Sequence, residues 1–123
     1  MDEVTIRHLR EAVNMCGYDF DDILSRHTNR QIYTDMRAIV WAILQEETGE
    51  GCLAIGRRFG WNRSTVFCSI KKALDLRDYD RDFRGLYDSV YGYYMNFESI
   101  GNERDGLEGD SYQGAGGPVD GEA

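Results

Sequence analysis

The stretch from residue 29 to residue 48 constrains the fold more than any other part of the chain. Its apolar side chains recur at helical spacing and form one wide face, made of Ile32, Met36, Ile39, Val40, Ala42, Ile43 and Leu44. A helix with so wide an apolar face has to be covered by other elements on several sides. Gly49 and Gly51 follow it and are expected to end it. The sequence therefore predicts a central core helix.

Five further helices are predicted around this one. Apolar residues at three- and four-residue spacing mark residues 5–16, 20–26, 53–59, 63–76 and 80–97. Asp19 is the expected N-cap of the second helix. No segment alternates convincingly between apolar and polar residues, and the chain contains a single proline. We therefore expect an all-α fold, a bundle of about six helices.

Charge is distributed unevenly along the chain, whose formal net charge is -8. Residues 98–123 hold seven acidic residues, one basic residue and half of the 14 glycines. This composition predicts a disordered acidic tail that follows a folded domain of residues 1–97. The domain has fifteen acidic and thirteen basic residues, a net charge of -2. Within it, residues 51–74 contain no acidic residue and five basic ones, namely Arg57, Arg58, Arg63, Lys71 and Lys72. Charge sorted in this way indicates an anionic partner.

Three residues in this basic segment have the spacing of a helix-turn-helix. Gly56 is small where the two helices must approach closely, and Gly60 supplies the positive φ of the turn. Val66, six residues later, returns an apolar side chain to the core. The alternative interpretation is an ordinary helical hairpin with a glycine turn and a solvated basic face.

The second helix of the motif is predicted to begin after a capping residue, either Asn62 or Ser64. Its first turn then holds Arg63, Ser64 and Thr65, where recognition helices contact base edges and phosphates. One continuous positive face would favour DNA as the partner, and scattered charges would favour a protein-interaction module. The residues of such a face are Arg26, Arg30, Arg57, Arg63 and Lys71.

Two parts of the chain also resemble a known family. The segments "ILSRHTNRQI" and "ETGEGCLAIGRRFGWNRSTVFCSIKKALDL" resemble the C-terminal DNA-binding domain of the bacterial replication initiator DnaA. The resemblance extends over roughly residues 12–86, most of the predicted folded domain. Within it, "LAIGRRFG" is similar to the family's Ile-Gly-x-x-Phe-Gly, and "NRSTV" is similar to its Asp-His-Thr-Thr-Val.

The resemblance implies a Trp-repressor-like helical fold whose recognition helix enters the major groove of duplex DNA. Asn62, Arg63, Ser64 and Thr65 stand at the family's Asp, His and paired Thr positions. It further implies a minor-groove contact from the loop that holds Arg26 and Arg30, and a phosphate contact from Arg37. The complete list of predicted DNA-binding residues is Arg26, Arg30, Arg37, Arg57, Asn62, Arg63, Ser64, Thr65 and Lys71.

The sequence favours a binding protein over an enzyme. No Gly-x4-Gly-Lys-Ser/Thr motif occurs, so we expect neither ATPase activity nor a bound nucleotide. His8 and His27 have no acid or nucleophile at a usable spacing, which predicts no catalytic residues. Cys16, Cys52 and Cys68 form no Cys-x-x-Cys pair, so we expect core thiols, no metal and no cofactor. With no signal peptide and no long apolar run, a soluble intracellular protein is expected. The resemblance implies the bacterial cytoplasm or nucleoid as its location.

Two functions remain open from the sequence. The first is sequence-specific binding of double-stranded DNA, in replication initiation or its regulation, or in transcription regulation. The second is a protein-interaction adaptor on an inherited helix-turn-helix scaffold, with the acidic tail binding a protein partner. Tyr79, Phe83, Tyr87 and Tyr91 recur every four residues, as a helix-packing stripe or, alternatively, as a base-stacking platform.

Overall fold

The computed structural model describes residues 3–25 and 30–106, with side chains as far as residue 97. Six helices make up this part of the chain and no strand occurs in it: α1 (Glu3–Met15), α2 (Phe20–Ile23), α3 (Gln31–Thr48), α4 (Cys52–Phe59), α5 (Arg63–Tyr79) and α6 (Arg81–Gly106). The predicted all-α bundle of six helices is confirmed.

Helix α3 is the centre of the bundle, as its wide apolar face predicts. Nine consecutive residues, from Met36 to Leu44, are buried, and α3 contacts each of the other five helices. Trp41 is the largest fully buried side chain. Burial all around a helix requires neighbours on every side, so the remaining helices are arranged around α3.

Helix α2 is shorter than predicted. It spans the four residues Phe20–Ile23 rather than residues 20–26. Asp19 caps it as expected, because its carboxylate accepts a hydrogen bond from the backbone N–H of Asp21 at 3.2 Å. Phe20 and Ile23 point into the core. A single turn buries Phe20 and Ile23, and Leu24, the C-cap residue, is partly buried against the core. Ser25 beyond it gives no further apolar anchor.

Helix α6 is longer than predicted, since it continues to Gly106 instead of ending near residue 97. The helix therefore continues past residue 97, where the tail was predicted to begin. Adding residues to an existing helix needs no new nucleus, so a segment with little apolar surface continues a helix more easily than it starts one. The predicted disorder of residues 107–123 lies outside the described residues.

The aromatic residues at four-residue spacing are divided between two helices. Phe83 and Tyr87 are buried on α6, which confirms helix packing for these two. Tyr79 ends α5 and is 88% exposed, so it does not belong to the packing stripe. In the part of the chain that the structure describes, no helix is both long enough and apolar enough to cross a membrane.

Candidate functional site

Helices α4 and α5 are joined by a turn of three residues, Gly60, Trp61 and Asn62. Gly60 adopts the left-handed conformation with a φ of +78°, as predicted for the turn. The carbonyl oxygen of Gly56 accepts hydrogen bonds from the backbone N–H of Gly60 and, at 2.8 Å, from that of Trp61. The Gly56 carbonyl thus binds the first two residues of the turn, and the chain reverses within three residues.

Gly56 lies directly against this turn. A Cβ atom at position 56 would overlap the backbone carbonyl oxygen of Trp61. The predicted need for a small residue is therefore confirmed, and the close neighbour is the backbone of the turn. Val66, the third residue of the predicted spacing, is fully buried.

We expect Gly56→Ala to lower the free energy of unfolding by about 1–3 kcal/mol, because α4 and the turn must separate to admit a methyl group. Gly85→Ala is the matched control. Gly85 is also helical, and nothing lies within 4 Å of its Cβ position. That variant should gain up to about 1 kcal/mol from helix propensity. Chemical denaturation of the three proteins measures both changes, and equal stability of Gly56→Ala and wild type would contradict the close approach.

The N-terminus of α5 is capped by Asn62, which resolves the choice between the two predicted caps. The side-chain oxygen of Asn62 accepts from the backbone N–H of Thr65 at 3.4 Å and from the Thr65 hydroxyl at 3.5 Å. Arg63 and Ser64 are exposed in this first turn, whereas Thr65 is half-buried. Asn62 and Thr65 thus fix the helix start, and Arg63 and Ser64 face outward beside them.

The charged residues of α5 are all basic as far as Lys72, and charges of both signs follow in Asp75, Arg77 and Asp78. Arg63, Lys71 and Lys72 are exposed and no acidic residue precedes Asp75 in the helix. Within the described ranges, none of these three nor Arg57 forms an ion pair. Arg58 differs, since its guanidinium donates to the Glu3 carboxylate of α1 at 2.7 Å. The basic residues at the start of α5 and Arg57 on α4 therefore keep charges that an anion could neutralise.

A shallow groove of about 510 Å³ lies beside the start of α5. It is lined by Cys52, Arg63, Ser64, Phe67 and Cys68. Cys16 and Cys52 are partly buried and pack against the core, whereas Cys68 is exposed, so the prediction of core thiols is wrong for Cys68. Val66, Ile70 and Ala73 form the buried stripe of α5, and a helical repeat of 3.6 residues places position 68 on the opposite face.

Arg37 requires a correction. Its side chain is only 6% exposed, and its Nε donates to the Ile23 carbonyl at 2.7 Å while Nη2 donates to the Ser25 carbonyl at 3.5 Å. Burial lowers the pKa of the guanidinium from its ordinary value. The predicted phosphate contact is therefore withdrawn for Arg37, because its donors already bind backbone carbonyls inside the protein.

Trp61 completes this internal contact. Its indole Nε1 donates to the Leu24 carbonyl at 2.9 Å, and the Arg37 guanidinium lies 4.3 Å from its ring centroid. Three successive carbonyls, those of residues 23–25, are thus bound by Arg37 and Trp61. We call this contact the Arg37–Trp61 clamp. It attaches the chain that follows α2 to the turn between α4 and α5.

Arg30 lies at the other end of the same segment and is the exposed N-cap residue of α3. Its guanidinium lies 5.3 Å from the ring centroid of Tyr33. Tyr33 is one helical turn before Arg37, so Arg30 is directed along the side of α3 on which Trp61 packs. The axial separation of positions 30 and 37 is about 10 Å. Arg26 and His27 fall outside the described residues.

Comparison with known proteins identifies no relative: no protein-family model, no curated protein and no solved structure matches this chain. The resemblance to the DnaA domain therefore stays an interpretation of the sequence. A function for the α4–turn–α5 unit has to rest on its own geometry and charge.

Proposed function

We propose that this protein binds double-stranded DNA in a sequence-specific manner, with the N-terminal half of α5 in the major groove. The observation that carries the proposal is the exposed and acid-free start of α5, held at a fixed angle to α4 by the turn at Gly60. The α4–turn–α5 unit would then be a helix-turn-helix. Such a protein would act in replication initiation, in its regulation, or in transcription regulation, without ATPase activity.

The direction in which charge changes along α5 supports this orientation. Four exposed acidic residues follow around the junction of α5 and α6, namely Asp75, Asp78, Asp80 and Asp82, and Arg77, Arg81 and Arg84 lie among them. Phosphates of a duplex would be attracted to the acid-free end of α5 more strongly than to this end of mixed charge. The N-terminal half of α5 is therefore the part that a duplex would approach most closely.

Three exposed basic residues of α4 and α5 have proposed roles. Arg63, in the first turn of α5, is the proposed base reader, because a guanidinium fits the O6 and N7 atoms of guanine. Arg57 and Lys71 are proposed phosphate contacts on either side of it. Asn62 and Thr65 contribute by fixing the helix start, and Ser64 adds an exposed hydroxyl beside Arg63.

Binding-site selection from random duplexes, using the full chain, tests the proposal directly. We expect one sequence to be enriched and to bind in a titration by fluorescence anisotropy. Arg81→Ala is the control variant, because Arg81 is exposed at the acidic start of α6. It should bind the selected duplex like wild type. Failure to enrich any sequence would contradict sequence-specific binding.

Arg30 is proposed to enter the minor groove next to the site read by α5. A narrow A·T-rich groove attracts an arginine side chain. We expect exchange of the flanking A·T pairs for G·C pairs to weaken wild-type binding roughly five- to tenfold. The same exchange should have little effect on Arg30→Ala. Affinity titrations with both duplexes measure this, and equal losses for the two proteins would remove Arg30 from the interface.

A protein-interaction adaptor is the second candidate function. The exposed acidic residues at the junction of α5 and α6 favour it, because a basic protein surface would complement them. The acidic residues 98–123 would add to the same negative charge. The selection experiment separates the two candidates, since an adaptor that has lost DNA binding enriches no duplex sequence.

A further inference from the structure

Phe67 is an exposed aromatic residue on the helix proposed to read DNA. Its side chain is 57% exposed, and it lines the same groove as Arg63 and Ser64. Residues three and four positions apart share one helix face, so Phe67 follows Ser64 and Arg63 on the same side of α5. The core does not use this side chain, since Val66, Ile70 and Ala73 form the buried stripe.

The composition of the groove restricts what it would bind. Arg63 supplies a cation with five donors in a planar fork, while Phe67 and the two cysteines supply apolar surface. Exposed Arg57 and Lys71 on the same pair of helices favour an anionic occupant over an apolar peptide. Within a major groove, the base edge that offers two adjacent acceptors to the Arg63 fork is that of guanine, and the apolar group that projects beside the base edges is the C5-methyl of a pyrimidine.

We propose that Phe67 is a specificity-determining residue that contacts the C5-methyl group of a pyrimidine within two base-pair steps of the guanine read by Arg63. This inference rests on the proposed function. Positions 63 and 67 are separated by about 6 Å along the helix axis. Two base-pair steps of a duplex span a similar length, because each step rises about 3.4 Å. The C5-methyl group belongs either to thymine or to 5-methylcytosine, which share this chemistry.

The test uses the selected duplex and removes or adds single methyl groups. Replacing one thymine by uracil deletes only the C5-methyl group. At the contacted position we expect wild-type affinity to fall about fourfold, the effect of one buried methyl group. In Phe67→Ala the same replacement should have no effect on affinity. Phe67→Leu stays apolar and should show most of the loss of affinity seen with wild type. Each cytosine is also replaced by 5-methylcytosine. If 5-methylcytosine is the source of the contacted methyl group, wild-type affinity should increase when the cytosine at that position is replaced.

Leu74→Ala is the matched control, because Leu74 is a second exposed apolar residue of α5, two turns beyond Phe67. It should respond to uracil like wild type. The inference is overturned if no methyl change alters wild-type affinity, or if Phe67→Ala loses as much as wild type at the same position. Selective binding that still depends on Arg63 would then leave the proposed function in place and assign Phe67 to a protein contact. Absence of selective duplex binding by wild type overturns both proposals.

Discussion

Arg63→Ala should lower the preference for the selected duplex over random duplex by about 1–3 kcal/mol, a factor of roughly five to 150. The expected loss is large because Arg63 is exposed in the first turn of α5 and forms no ion pair within the described residues. Its contribution to phosphate binding is small by comparison, so affinity for random duplex should change little. Competition titrations with both duplexes measure the two affinities separately.

Two further variants separate base reading from charge. Arg63→Lys keeps the positive charge but loses the planar fork that binds guanine at two atoms. It should therefore retain affinity for random duplex and lose most of the preference. Lys71→Ala should keep the preference but weaken binding to both duplexes about equally. If Arg63→Ala kept the wild-type preference, α5 would not be the recognition helix.

The salt dependence of binding gives an independent measure of the same interface. If Arg30, Arg57, Arg63 and Lys71 together displace the counterions of about four phosphates, log K should fall with log salt at a slope of about -4. Lys71→Ala should make this slope shallower by about one, because one phosphate contact is lost. Arg81→Ala, at the start of α6, should leave it unchanged. A wild-type slope near zero would exclude a phosphate-based interface and favour the adaptor function.

The turn and the central helix could be predicted from sequence because their determinants are local. Gly60 is needed for one backbone conformation, Gly56 for one close approach, and both lie within a few residues of what they contact. The apolar face of α3 likewise repeats along a single helix. Such short-range patterns reveal which positions are buried and where the chain reverses.

The Arg37–Trp61 clamp could not be predicted in this way, because it joins three separate segments. An arginine in a helix is usually exposed, and Arg37 becomes buried through partners at residues 23, 25 and 61. One signal was present in the sequence. Arg37 lies four residues after Tyr33 and four before Trp41, so it continues a face that carries aromatic residues. That spacing favoured burial over the phosphate contact that the resemblance implied.

The end of α6 and the length of α2 were missed for a related reason. Both depend on how far packing in the bundle supports a helix, which the residues at its end do not reveal. Cys68 was missed for a different reason, since its position relative to Val66 and Ile70 already indicated the outer face. The residue type of Cys68 favours burial, whereas its helical position favours exposure.

Arg37→Met should lower the free energy of unfolding by about 2–4 kcal/mol. The substitution keeps an unbranched apolar side chain and removes two charge-assisted hydrogen bonds, each contributing about 1.5–3 kcal/mol. Part of this loss is offset, because a charged group no longer has to be removed from water. The substitution also removes the contact of the guanidinium with the Trp61 ring, about 0.5–2 kcal/mol. The three carbonyls of residues 23–25 are bound by the side chains of Arg37 and Trp61. When Arg37 is replaced, two of the three bonds are lost, and this segment should detach from the turn. Arg7→Met, at an exposed position of α1, is the control and should change stability by less than about 0.5 kcal/mol.

A double-mutant cycle with Trp61→Phe shows whether the clamp acts as a unit. Phenylalanine keeps an aromatic ring under the guanidinium but has no N–H for the Leu24 carbonyl. If Arg37 and Trp61 stabilise the same segment, the two losses should be non-additive by about 0.5–3 kcal/mol. The clamp also attaches the segment that leads to Arg30. Under conditions in which Arg37→Met stays folded, it should therefore lose the preference for flanking A·T pairs while keeping the preference that Arg63 supplies. Simple additivity in the cycle, together with an unchanged preference for flanking A·T pairs, would show that Arg37 contributes to the core alone and does not position Arg30.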